Sequence, residues 1–154
     1  MSSPAPRYLM AKPSVVFVCV ANSCRSQIAE AAARMAVGDQ WEIWSAGSRP
    51  GGRVHPLAIQ LMDERGYDLR AHHSKGIDAL PSRQWDIVVT MGCGDACPML
   101  RAATRVEWDI PDPVGLPVDE ARRIRDELIR RVRLLLINPS ASTVHGRQSI
   151  DHCS

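Results

Sequence analysis

No apolar run in the sequence approaches the ~20 residues that a membrane-spanning helix needs, so no membrane partner is expected. The opening "MSSPAPRYLMAKP" lacks the apolar centre of a secretory leader. Residues 1–13 therefore read as a flexible N-terminal extension, and the expected location is cytoplasmic. An excess of charge of one sign is lacking too: the formal net charge is +2, too small to imply a nucleic-acid partner. Aromatic rings are scarce, with one Phe and two Tyr beside four Trp, which leaves few flat surfaces for an aromatic substrate. A scattered disulfide framework is missing. The five cysteines are odd in number, and the "CVANSC" and "CGDAC" spacings are local, which suits a reducing compartment and chemically active thiols.

What is present fits one soluble domain. Hydrophobic residues make up 45% and charged residues 23% of 154, close to ordinary globular values and long enough for a usable core. There is no internal repeat and no second domain. "SVVFVC", Ser14 to Cys19, reads as a strand buried on both faces. "SQIAEAAARMAV", Ser26 to Val37, has helical spacing and ends at Gly38. Further strands are expected over Trp41 to Gly47, Trp85 to Met91 and Thr104 to Ile110, and a helix over His55 to Arg65 with Pro56 in its first turn. Val118, Ala121, Ile124, Leu128, Val132 and Leu135 mark the stripe of a long last helix. Six arginines from Arg122 to Arg133, interleaved with Asp119, Glu120, Asp126 and Glu127, read as its solvated face with i,i+4 pairs. Residues 138–154 have no periodicity and read as a disordered tail. Alternating strands and helices predict a single three-layer α/β/α domain with a parallel sheet, covering residues 14–137. Ligands of such sheets bind beyond the carboxyl ends of the strands.

The turn Cys19-Val20-Ala21-Asn22-Ser23-Cys24-Arg25-Ser26 stands at that edge, in a C-x5-R-S pattern. A loop between a strand and a helix N-terminus turns backbone N–H groups into one concavity, which together with the helix dipole suits a tetrahedral oxyanion. The oxyanion-binding set is thus Val20, Ala21, Asn22, Ser23, Cys24, Arg25 and Ser26, with Arg25 gripping two oxygens through its planar fork. The same field favours a thiolate, making Cys19 the candidate nucleophile. Asn22 tolerates a left-handed turn, and the Ser26 hydroxyl is placed to donate to the sulfur.

"VCVANSCRSQIAEA" resembles the catalytic loop of the low-molecular-weight protein tyrosine phosphatases and their relatives, the arsenate reductases. "SAG" (Ser45 to Gly47), "HP" (His55, Pro56), "TMGCGDACP" and "WDIPDPVG" extend the resemblance, which covers Ser14 to about Ile137. It implies a four-stranded parallel sheet in the order 2-1-3-4, and it makes Asp112 the general acid for a departing oxygen, with Asp109 as second choice. Pro111 and Pro113 restrict the backbone around Asp112. Phosphatases of the family resemble "DPYY" here; this chain has Val114 and Gly115, so the ring of a phosphotyrosine finds no wall.

"TMGCGDACP" places Cys93 and Cys97 just after the third strand, next to the strand that ends at Cys19 if the order is 2-1-3-4. The resemblance then implies an arsenate reductase with an intramolecular relay. Cys19 attacks arsenate, Asp112 protonates the leaving oxygen, Cys93 attacks Cys19, and Cys97 presents the disulfide to an external reductant. That reductant is expected to be thioredoxin, glutaredoxin or a low-molecular-weight thiol; no tightly bound cofactor and no metal are expected. Two loop fillers, or a zinc site with His72 or His73, are the alternatives for these cysteines. Cys24 is a packed filler or, as in the phosphatase relatives, a protective partner of Cys19. Glu30, Asn22 and Ser45 match positions that hold potassium in some members, and Lys75 is an alternative source of positive charge. A phosphatase of phosphotyrosine or small phosphoesters and a non-catalytic, redox-sensing oxyanion module are the competing functions.

Overall fold

The computed structural model describes residues 11–92 and 100–137. The expected tail, 138–154, and all but the last three residues of the expected N-terminal extension lie outside the described residues. The elements are β1 (Ser14–Cys19), α1 (Arg25–Val37), β2 (Glu42–Gly47), α2 (Pro56–Asp63), β3 (Trp85–Thr90), β4 (Ala102–Glu107) and α3 (Val118–Ile137), with short 3-10 turns between them. The sheet is parallel throughout and ordered β2-β1-β3-β4, as expected. β1 lies in the middle and every one of its residues is buried. Its alternation sends Val15, Phe17 and Cys19 to one face and Val16 and Val18 to the other. Cys19 thereby comes out on the helical side.

The two covers of the sheet differ in thickness. Buried residues of α1, α2 and α3 join one cluster with Val15, Phe17 and Val89. The opposite face is closed by Trp44, Ile77, Leu80 and Leu100 around Trp85, whose ring meets Trp44 edge-on at 6.3 Å. Among the described residues no helix is long and apolar enough to cross a membrane.

Two expectations shift. The fourth strand runs over Ala102–Glu107, starting two residues and ending three residues before the Thr104 to Ile110 that its apolar alternation suggested. Trp108 and Ile110 are buried all the same, but beyond the ladder: Trp108 N–H closes on Thr90 O at 2.9 Å and its ring lies 6.3 Å from Phe17. The arginine-rich face of α3 is also not wholly solvated. Arg130 and Arg131 pair with Glu127 as the spacing suggested. Arg125, however, is 4% exposed and donates to Leu61 O at 3.1 Å, Glu64 Oε1 at 2.6 Å and Asp126 Oδ1 at 2.9 Å. It ties α3 to the end of α2. Hydrogen bonds from Arg122 and Arg125 hold the Glu64 carboxyl down to about 2.

Candidate oxyanion and thiol site

Residues 19–24 place all six of their carbonyl oxygens on outside partners. Cys19 O accepts from Ser48 N (3.0 Å), Val20 O from Arg49 N (2.8 Å), Ser23 O from His55 N (2.9 Å), and Cys24 O from Ile28 N (2.9 Å). Ala21 O accepts from Gly51 N (2.9 Å) and Ser74 Oγ (3.0 Å), and Asn22 O from Gln27 Nε2 (3.1 Å). In a trans peptide the N–H points opposite to the C=O. With these carbonyls turned outward, the amides of residues 20–25 are turned the other way, toward the centre of the loop. Segment 48–55, which holds four of the six carbonyls, is therefore the main part of the clamp that aims the amides. Gly47 completes it, since a methyl there would lie 2.6 Å from Val20 O and 2.9 Å from Asn22 N. α1 adds its own N-terminus, which has no side-chain cap and no acidic residue in its first turn. The arrangement can hold a tetrahedral oxyanion.

Cys19 ends β1 with its sulfur 2.9 Å from Ser26 Oγ. Asn22 Nδ2 donates to that hydroxyl oxygen at 2.7 Å, so the Ser26 proton is free to point at the sulfur. Asn22 sits in the left-handed region, φ 51°, as the turn requires. Its Nδ2 also donates to Ser45 Oγ (3.0 Å), and its Oδ1 accepts from Gln27 Nε2 (3.0 Å) and Lys75 N (2.9 Å). Because Gln27 Nε2 spends its protons on Asn22 and His73 O, Gln27 Oε1 must accept from His72 Nδ1 at 2.9 Å. His72 Nε2 then accepts from the Tyr67 hydroxyl at 2.7 Å. The donors run one way, Tyr67 to His72 to Gln27 to Asn22 to Ser26 to Cys19. Burial pushes the His72 pKa down, opposed by Glu30 and reinforced by Arg34, Lys75 and His73. His72 is thus committed to Tyr67 and Gln27, and among the described residues no group of three or more His, Cys, Asp or Glu could hold a metal.

Behind Asn22 lies a buried carboxylate. Glu30 accepts from Ser45 Oγ (2.5 Å) and pairs with Arg34 (2.9 Å). The Lys75 ammonium stands 3.9 Å from Glu30 Oε1 and 3.5 Å from Ser45 Oγ, so a built-in cation faces the group that the sequence matched to potassium ligands. Burial lowers the Lys75 pKa and Glu30 opposes this.

Arg25 opens α1 and its Nη1 donates to Ile110 O at 3.0 Å, joining the 19–26 loop to the segment that carries Asp112. Asp112 is exposed, and its Oδ1 accepts from Val114 N at 3.0 Å. Asp109 is exposed between the buried Trp108 and Ile110. Cys24 is a free, buried thiol; burial first, then the charges of Asp112 and Cys19, push its pKa up to about 12 against the pull of Arg25. Cys93 and Cys97 lie outside the described residues. The chain that leads to them is placed: β3 pairs with β1 as far as Val18 opposite Thr90, and Met91 N–H donates to Val18 O at 2.7 Å.

Sequence reasoning missed the clamp, Gln27 and the role of Ser74. The only available signal was a polar Gln on the buried side of a helix that is otherwise alanine-rich.

The family model described as low molecular weight phosphotyrosine protein phosphatase matches residues 14–145. Arsenate reductase 2 of Staphylococcus epidermidis is 42% identical over 123 residues, 77% of this chain and 92% of that protein. A structure described as a thioredoxin-dependent arsenate reductase of Corynebacterium glutamicum superposes with a TM-score of 0.69 at 35% identity; the match covers 85% of this chain and 63% of that one. Another, described as an arsenate reductase in the phosphate binding state, gives 0.71 at 30% identity, covering 82% of this chain and 98% of that one.

Proposed function

The chain belongs to the low molecular weight phosphotyrosine protein phosphatase family, and from that premise we propose that it reduces arsenate to arsenite. The observation that carries the reading is the outward ring of carbonyls around residues 19–24, with a thiol at its base and a guanidinium at its rim. The names of the 42%-identical relatives narrow the oxyanion to arsenate. The missing aromatic wall after Asp112, where Val114 and Gly115 stand, speaks for a small inorganic ion over a phosphotyrosine.

In this reading the inward amides of residues 20–25 and the Arg25 fork hold arsenate above Cys19. The sulfur forms a bond to arsenic, the bond from arsenic to one oxygen breaks, and Asp112 supplies the proton with which that oxygen leaves as water. Ser26 stabilises the thiolate before attack. Cys93 then attacks the Cys19 sulfur. A disulfide forms, the sulfur–arsenic bond breaks, and its electron pair stays with arsenic, which leaves as arsenite. Cys97 takes over the disulfide, and an external dithiol reduces it. A thioredoxin-type donor is favoured by the relative described as thioredoxin-dependent, with glutaredoxin and small thiols as the other candidates. We place the catalytic unit at residues 14–137 and its work in the cytoplasm.

The test is single-turnover reduction of arsenate by purified protein without donor, followed by mass spectrometry of cysteine pairing, then steady-state turnover with each donor system. A Cys19–Cys93 or Cys93–Cys97 disulfide formed with one equivalent of arsenite supports the relay. Rapid hydrolysis of phosphotyrosine peptides by a Cys93→Ser, Cys97→Ser variant, with no arsenite formed by the native chain, overturns the reading in favour of a phosphatase.

A further inference from the structure

We infer that Gly92 is a positioning residue for the Arg25 guanidinium, and that the lack of a side chain there lets one arginine serve both the oxyanion loop and the acid-bearing segment. The inference rests on reading Arg25 as an oxyanion grip, not on arsenate as substrate. Gly92 follows β3 closely, at φ +80°. A methyl group there would lie 2.5 Å from Arg25 Nη1, 3.3 Å from Cζ and 3.5 Å from Nη2. A side chain at 92 would therefore overlap Nη1 and crowd Cζ, with Nη2 left in ordinary contact, so the clash falls on the same nitrogen that reaches Ile110 O. On another side the same Nη1 donates to Ile110 O at 3.0 Å, two residues before Asp112.

The other left-handed glycines among the described residues show what is particular here. Gly38, Gly52, Gly66 and Gly115 have φ between +55° and +94°, and a methyl at each would meet nothing within 4 Å. Backbone conformation alone accounts for glycine at those four positions. At Gly92 there is a second demand, the room taken by the arginine head. An arginine side chain is flexible enough to step aside, so a methyl at 92 need not unfold the chain. It would push Nη1 off Ile110 O and turn the fork away from where an oxyanion rests, and a planar bidentate grip tolerates little misalignment.

The test uses sulfate, which binds as a tetrahedral dianion and is not reduced, and reads its protection of Cys19 against iodoacetamide in the full chain. Gly92→Ala is expected to weaken sulfate protection by about 10–100-fold. Gly66→Ala carries similar backbone strain with open space around it, and is expected to lower the unfolding midpoint without changing sulfate protection. In an Arg25→Lys background, where no fork remains to displace, Gly92→Ala is expected to change protection by less than about threefold. Equal losses from Gly92→Ala in the native and Arg25→Lys backgrounds would overturn the inference, as would an unchanged sulfate affinity in Gly92→Ala. The assay needs only an oxyanion and a thiol, so a failure of the arsenate reading leaves its outcome interpretable.

Discussion

Replacing Asn22 by alanine should be more damaging than replacing it by glycine, the reverse of the usual order in regular structure. The Asn22 side chain donates to Ser26 and Ser45 and accepts from Gln27 and the Lys75 amide, at 2.7–3.0 Å, while fully buried. Ser26, Ser45 and Gln27 each keep another partner when it is removed. Three lost bonds at ~1 kcal/mol each, plus ~1–3 kcal/mol for the orphaned Lys75 N–H, give roughly 4–6 kcal/mol. Alanine adds ~1–2 kcal/mol for holding φ at 51°, a cost that glycine avoids. Against a total of about 5–15 kcal/mol for a domain, both variants should fold marginally, with Asn22→Gly the more stable by ~1 kcal/mol. Urea unfolding followed by tryptophan fluorescence measures the difference. In the same samples iodoacetamide should alkylate Cys19 about 5–10-fold more slowly than in the native protein, since the Ser26 hydroxyl loses the donor that orients it and a charge-assisted bond worth ~1.5–3 kcal/mol is weakened. An alanine variant as stable as the glycine variant, or native alkylation rates in both, would refute the network as the organiser of the loop.

Other consequences can be measured directly. Burial depresses the His72 pKa, so the unfolded chain takes a proton near pH 6.5 that the folded chain refuses; stability is complete above that pH and falls as the pH drops toward 5. Urea midpoints from pH 8 to 5 should fall less steeply in His72→Asn than in the native chain, and an equal slope in the two would count against His72 as the responsible group. Cys24, with its thiol pushed up to about 12, stays protonated at working pH; Cys24→Ala should leave the rate of Cys19 alkylation within about twofold, and a large loss would show it to be reactive. Lys75→Ala removes the ammonium beside Glu30, so the variant alone should gain thermal stability when choline chloride is replaced by potassium chloride. Arg125→Met exchanges a buried, paired charge for a similar apolar volume and should change stability by no more than about 1–2 kcal/mol either way, whereas Glu64→Ala should cost more because Arg125 stays buried with one partner fewer.

Elements whose buried faces set their periodicity were legible in the sequence. β1, with no polar interruption between Val15 and Cys19, and α1, bounded by the loop and Gly38, appear where the pattern placed them. The fourth strand slid because the burial of Trp108 and Ile110 mimics strand alternation even after the ladder has ended. The left-handed turn at Asn22 and the Ser26–Cys19 contact were readable because both are local. The outward ring of carbonyls was not, since beside the local Gln27 and Ile28 its other partners, Ser48, Arg49, Gly51, His55 and Ser74, come from chain 29 to 53 residues away in sequence and act mostly through backbone atoms. Arg125 was misread for a similar reason: spacing along α3 pairs it with its neighbours, while α2 and the residue that follows it supply Leu61 and Glu64.

Main-chain amides and a flat cation read shape and charge, and in both respects phosphate imitates arsenate. Such a cradle has no feature by which to turn the commoner ion away at the door. Discrimination must then come after capture, from the readiness of pentavalent arsenic, and the refusal of phosphorus, to accept two electrons from sulfur. The cell's phosphate level, rather than any contact in the pocket, would set how much arsenate is needed before such a catalyst is useful.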